Sequence, residues 1–237
     1  MRARLILFDI DGTLVNTAGA GRLAMERAFR EVLGVCDLSG AEGVPYAGRT
    51  DPVILDAIVQ ALEIDSAMFN SRRERLVTRF VEELRQEMQI ETAERRTLPG
   101  VRSLLRRLAS REEITLGLVT GNLESTARIK LEPFGINHYF ATGGFASDHR
   151  DRRRIAAIGR DRAAEKAGID FAPSQVTIVG DTQHDVDCAR ANGFRAVAVD
   201  TGWVPRETLV RSAPDSLLSS LDDSAVLEAL GVSPDDP

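Results

Sequence analysis

The sequence predicts an α/β protein, a Rossmann-like parallel sheet with an all-helical unit inserted behind its first strand. Two patterns carry this. Short β-rich runs recur along the chain, and helical patterns separate the later ones. A long, wholly helical stretch lies between the first run and the second. The 237 residues, 43% hydrophobic and 28% charged, suit a globular chain. At about 150 residues per domain that is one to two domains, outside the disordered, collagenous and membrane classes.

Residues 5–10, 114–120, 139–145, 175–180 and 194–199 are each of strand length. Helices between them favour parallel pairing, since a parallel crossover needs a long connection. Val101, Leu104, Leu105 and Leu108 have helical spacing after Pro99-Gly100, and residues 186–192 read as a short helix stopped by Gly193. In the long interval, Met25, Ala28, Phe29, Val32 and Leu33 form one amphipathic stripe. Val53, Ile54, Ala57, Ile58, Ala61 and Leu62 form a second, and Leu76, Val77, Phe80, Val81 and Leu84 a third. Residues 16–97 are therefore expected to form a helical insert, with 1–15 and 98–237 as the α/β core.

Lys plus Arg is 30 against 36 for Asp plus Glu, and aromatics are 5%, so a nucleic-acid partner is not expected. Only Lys130 and Lys166 are lysines; the other cations are arginines. Cys36 and Cys188 stand far apart with no metal-ligand spacing, which predicts a reduced interior. The first apolar run is cut by Asp9, too short for a signal-peptide core, and no stretch approaches the roughly 20 apolar residues of a membrane span. A cytoplasmic protein without membrane contact is expected.

The first strand leads into Asp9-Ile10-Asp11-Gly12-Thr13. In extended geometry Asp9 and Asp11 share a face while Ile10 turns into the core, and two such carboxylates favour a shared proton or a cation. A plain Asp-Gly turn is the competing reading. The second strand ends in Thr120-Gly121-Asn122, where a hydroxyl and backbone N–H groups can hold a phosphate or simply cap a helix. The fourth ends in Gly180-Asp181-Thr182, with Asp185 one helical turn further on. Hard oxygens converging there suit Mg²⁺, although Asp185 also suits a helix N-terminus. All three clusters fall at carboxyl ends of strands, where open α/β sheets bind ligands.

With these residues in this order, the sequence resembles the haloacid dehalogenase superfamily of phosphohydrolases. Asp9 to Leu14 looks like its first motif, Thr120-Gly121 its second, and Gly180-Asp181-Thr182 with Asp185 its fourth. The insert falls where that superfamily carries a helical cap. Gly19-Ala20-Gly21-Arg22 and Gly48-Arg49-Thr50-Asp51 resemble the phosphoglycolate-phosphatase-like branch. The resemblance implies a Mg²⁺-dependent phosphatase acting on a small phosphorylated metabolite. Asp9 would be the nucleophile and Asp11 the general acid and base. The metal would sit on the Asp9 carboxylate, the Asp11 backbone carbonyl and Asp181, with Asp185 holding a metal-bound water. Thr120, Gly121 and Asn122 would face the phosphate, and Arg49 a substrate carboxylate.

The family's third motif, a lysine followed by proline, is missing. Counted from Phe140, Arg152 matches its basic position, and an arginine fork suits phosphoryl oxygens. Lys130 is the alternative cation, and Lys166 is expected at a surface helix end. Arg150, Arg153 and Arg154 are expected to be solvated, His149 and His184 to pack or face water, and Cys188 to be a small buried residue. The second aspartate disfavours dehalogenase and phosphonate-cleaving relatives. A phosphomutase resembling β-phosphoglucomutase shares both aspartates, and a non-catalytic binding module is the remaining alternative.

Overall fold

In the computed structural model, which describes residues 3–233, every residue of β1 (Arg4–Phe8) after Arg4 is buried. A strand covered on both faces reads as a continuous apolar run. A two-residue strand, β2 (Val15–Asn16), follows, and then three helices: α1 (Ala20–Leu33), α2 (Asp51–Ala61) and α3 (Ser66–Met88). The chain returns through β3 (Arg96–Thr97), which pairs antiparallel with β2. This two-stranded ribbon stands where the sequence places the edges of the insert. Residues 1–2 and 234–237 of the expected core lie outside the described residues.

The remaining elements alternate: α4 (Val101–Ala109), β4 (Ile114–Val119), α5 (Glu124–Leu131), β5 (Gly143–Gly144), α6 (Arg152–Ala167), β6 (Val176–Gly180), α7 (Gln183–Ala191), β7 (Arg195–Val199), α8 (Arg206–Ser212), β8 (Ser216–Leu218) and α9 (Val226–Ala229). The main sheet has six parallel strands in the order β5-β4-β1-β6-β7-β8. This is the Rossmann-like arrangement expected. The chain moves from β1 to β4 on one side and later to β6 on the other, so a topological switch point falls at β1.

Alternation along β1 divides the core. Ile6 and Phe8 join a cluster with α1, α2, α3, α4 and α5, whereas Leu5 and Leu7 join Ile155, Ala156, Val186, Ala189 and Leu209 of α6, α7 and α8. Small residues Ala24 and Ala28 let α1 approach α3, and the buried Glu87 of α3 is matched by Arg27 at 2.8 Å and Arg95 at 2.6 Å. Among the described residues no helix is long and apolar enough to cross a membrane.

Two strand expectations need correction. The expected third strand, 139–145, is reduced to Gly143–Gly144, preceded by a short 3-10 turn at Asn137–Tyr139. Its apolar residues, Phe140 and Phe145, are core side chains instead. The first strand ends at Phe8 rather than at residue 10. The backbone turns there: the N–H groups of Leu14 and Val15 both donate to the Ile10 carbonyl, and Gly12 takes a left-handed φ of 83°.

Candidate active site

β1 lies between β4 and β6, so the residues just past these three tips become neighbours. Asp9 donates its N–H to the Val179 carbonyl at 2.9 Å, Thr120 follows β4, and Asp181 follows β6. A cavity of about 550 Å³ opens over them. Asp9, Asp11, Thr120, Lys130, Arg152 and Asp181 line its floor, and Arg22, Met25, Tyr46 and Arg49 line it from the α1–α2 region. Every site residue expected from the sequence lines this cavity except Asp185, which lies behind Arg152.

Asp9, Asp181 and Asp185 offer carboxylate oxygens within 4.8 Å of one another, and all three are buried. Burial pushes the Asp9 carboxyl up to about 7; Arg152 pulls against this, while Asp185 and Asp11 add to it. Burial, then the charges of Asp9 and Asp185, also push Asp181 well above the ordinary range. Asp181 Oδ1 accepts the Thr13 hydroxyl at 3.1 Å, but its Oδ2 is buried with no hydrogen-bond partner. A buried orphan carboxylate oxygen is costly. Three carboxylates against one guanidinium leave a charge of two to be balanced, and hard oxygen donors suit Mg²⁺. The residues present therefore fit the metal. Glycines leave room beside that oxygen: a Cβ would approach it to 2.4 Å at Gly12 and 1.7 Å at Gly202.

Asp185 does two things at once. Its Oδ2 accepts the N–H of Thr182 at 3.0 Å and the Thr182 hydroxyl at 2.7 Å, a capping box at the start of α7. Its Oδ1 receives Arg152. Arg152, the first residue of α6, also reaches Asp9 Oδ1 at 3.3 Å.

The sequence poses Arg152 and Lys130 as alternatives, and the structure puts both beside the cavity on different carboxylates. Lys130, in the last turn of α5, donates to Asp11 Oδ2 at 2.6 Å and to Asn122 Oδ1 at 2.6 Å. Burial would raise the Asp11 carboxyl, but Lys130, Asn122 and Thr17 hold it below its usual value. Asp11 thus faces Lys130 while Asp9 faces the acidic cluster, although both line one cavity. The Thr120 hydroxyl oxygen accepts the Asn122 side chain at 2.8 Å and the Asn122 N–H at 3.2 Å. With its acceptor side occupied, its O–H is left to donate to an anion.

Arg49 is exposed at the cavity wall, and Arg150, Arg153 and Arg154 are exposed as expected. Lys166 is exposed in the last turn of α6 and donates to the Ala141 carbonyl. His149 accepts the Asp151 N–H through Nδ1 at 2.9 Å. His184 packs against Gly48, where a Cβ would lie 2.4 Å from its ring, and burial followed by Arg152 lowers its pKa. Burial pushes the Cys188 thiol up to about 12. The sequence reading missed Trp203, exposed and lining the cavity, and Gly202, packed against Asp181, because the loop after β7 shows no periodic signal.

The haloacid dehalogenase-like hydrolase model matches residues 6–199, from β1 to the end of β7. The chain belongs to that family. It is 27% identical over 226 residues to the pyrophosphatase PpaX of Oceanobacillus iheyensis, covering 94% of this chain and 95% of that protein. It is 30% identical over 231 residues to a phosphoglycolate phosphatase of Agrobacterium fabrum, covering 94% and 90%. A predicted phosphoglycolate phosphatase of Haemophilus somnus shares the fold with a TM-score of 0.73 at 22% identity, covering 96% and 98%. This family member is a hydrolase of the phosphatase class, on the branch similar to phosphoglycolate phosphatases.

Proposed function

We propose that this hydrolase is a Mg²⁺-dependent phosphatase that cleaves a small phosphomonoester through an aspartyl phosphate on Asp9. The observation that carries the reading is the pairing of Asp9 with a buried acidic cluster and Arg152, beside an Asp11 held by Lys130. Asp9 and Asp181, with the Asp11 backbone carbonyl, would hold Mg²⁺, with Asp185 reaching it through a water; the ion would supply charge neutralisation between nucleophile and phosphoryl group.

The chain's own residues supply the rest. Asp9 attacks phosphorus in line with the leaving oxygen, and Asp11, which must first take up a proton from solvent against the pull of Lys130, gives that proton to the leaving oxygen. The deprotonated Asp11 then takes a proton from the water that hydrolyses the aspartyl phosphate. The Thr120 hydroxyl and the Gly121 and Asn122 backbone orient the phosphoryl oxygens, and the Arg152 guanidinium offsets their charge. Residues 16–97 act as a cap that closes over the site and excludes water from competing steps.

The leaving group lies toward α1 and Arg49. A two-carbon acid such as phosphoglycolate, with its carboxylate on Arg49, is one fit; a sugar phosphate uses more of the apolar wall at Met25 and Ile54. The relatives named for pyrophosphate and phosphoglycolate make both esters and pyrophosphate part of the test. Turnover of p-nitrophenyl phosphate and a panel of phosphate esters is measured with and without Mg²⁺, beside Asp9→Asn. Metal-dependent phosphate release lost in Asp9→Asn supports the reading. Equal inactivity of both proteins, or hexose phosphate isomerisation without release, refutes it.

A further inference from the structure

Asp51 opens α2, in the helical insert, yet its side chain serves a helix of the sheet unit. In a capping box the residue three positions into a helix returns its side chain to the N-cap N–H. The N-cap of α5 is Leu123 and that third residue is Thr126, so neither supplies the carboxylate. Asp51 Oδ2 takes the place, accepting the Leu123 N–H at 3.0 Å and the Thr126 hydroxyl at 3.1 Å. Asp51 also donates its own N–H to the Gly121 carbonyl at 2.7 Å.

One residue of the insert thereby grips both ends of the segment Gly121 to Leu123, directly after Thr120. The close approach depends on Gly121, where a Cβ would lie 2.1 Å from the Arg49 carbonyl oxygen. The N-termini of α2 and α5 meet there, and Asp51, a residue only 6% exposed, supplies the acceptor oxygen that the first turn of α5 lacks. At the other end of α5, Lys130 holds Asp11.

We propose that Asp51 is a positioning residue: by capping α5 from the insert, it makes closure of the insert and ordering of the Thr120–Asn122 loop a single event. The kinetic part of this inference rests on the phosphatase reading; the structural part does not. Two further ties cross the same boundary, the Thr50 hydroxyl on the Arg150 carbonyl at 3.1 Å and the exposed Arg150–Asp56 ion pair at 3.0 Å, but both end on Arg150 rather than on the Thr120–Asn122 loop, and exposed pairs contribute little.

The test compares Asp51→Ala, Asp51→Asn and the control Asp56→Ala, all checked for folding by circular dichroism. Small-angle scattering and the emission of Trp203, the single tryptophan, report closure without any need for turnover. Asparagine caps nearly as well as aspartate, so Asp51→Asn should keep kcat/KM within about threefold while Asp51→Ala loses about thirtyfold, mostly in KM. Asp51→Ala should also enlarge the scattering radius and shift Trp203 emission, while Asp56→Ala changes neither. Thr126→Val, which removes one donor to the same carboxylate, stands in if Asp51→Ala fails to fold, with about a fivefold loss expected. The proposal is overturned if Asp51→Ala, or its stand-in, keeps wild-type radius, emission and kinetics, or if Asp51→Asn is as damaging as Asp51→Ala. If no ester is turned over, the phosphatase reading fails alone and the radius and emission still decide.

Discussion

Lys130 Nζ and Asp11 Oδ2 stand 2.6 Å apart, although 119 positions separate the two residues. The ammonium of a buried lysine needs partners, and Asp11 with Asn122 supplies them. Arg152 meanwhile shares its single positive charge between Asp9 and Asp185. The two buried cations thus divide the site: Lys130 meets the carboxyl that the proposed mechanism uses for proton transfer, and Arg152 the cluster to which it assigns the nucleophile.

Removing each cation should therefore do different things. Lys130→Met leaves the half-buried Asp11 without its counter-charge, and loss of a tuned acid–base group should lower kcat by about 100-fold. Arg152→Ala removes charge stabilisation from the phosphoryl group and should lower kcat/KM by about 1,000-fold. Steady-state kinetics of the two variants give the ranking. The reverse order assigns the grip on the phosphoryl group to Lys130.

Asp181 Oδ2, buried without a partner, is the oxygen that the proposed Mg²⁺ would satisfy. Binding to the folded state alone stabilises by about 2.7 kcal/mol at a ligand concentration 100 times Kd. Wild type should therefore melt several degrees higher in saturating MgCl₂ by differential scanning calorimetry. Asp181→Asn should lose that increment and most activity. An undiminished Mg²⁺ shift in Asp181→Asn would remove the metal from this cluster.

Gly202 offers a sharper test, because it changes no charge. A methyl group there would fall 1.7 Å from Asp181 Oδ2 and force the carboxylate or the loop aside. Misplacing a reacting group by about 1 Å can cost 100-fold in rate. Gly202→Ala should lose about that much kcat/KM together with the Mg²⁺ thermal shift. Wild-type turnover by this variant would show that Asp181 can move without consequence.

The sheet and the acidic edge were legible because they follow local rules. β1 is apolar on both faces, and Gly12 announces the turn that brings Asp9 and Asp11 to one cavity. The third strand was not legible: the sheet accepts only Gly143–Gly144, since a Cβ at Gly144 would lie 2.1 Å from the Ile155 carbonyl oxygen. β8 went unseen because Ser216–Leu218 is short and lacks β-branched residues. α6 hides its buried stripe in the small residues Ala156, Gly159 and Ala163. Within the site, the choice between Arg152 and Lys130 had no local answer, because each cation meets its carboxylate only through the tertiary fold.

The two thiols should separate cleanly in reactivity. A disulfide-exchange reagent attacks through the thiolate, and burial holds the Cys188 thiol at about 12, so almost none is ionised at pH 8. Cys36 is exposed on the segment after α1. Titration of the native protein with 5,5′-dithiobis(2-nitrobenzoic acid) should release one equivalent promptly and a second only in guanidinium chloride. Cys36→Ser should abolish the prompt equivalent and leave turnover within about twofold of wild type, as expected of a surface change far from buried features. A prompt second equivalent would mean that the packing of α7 against α6, which covers Cys188, opens in the native state, and with it the ground on which Arg152 and Asp185 meet.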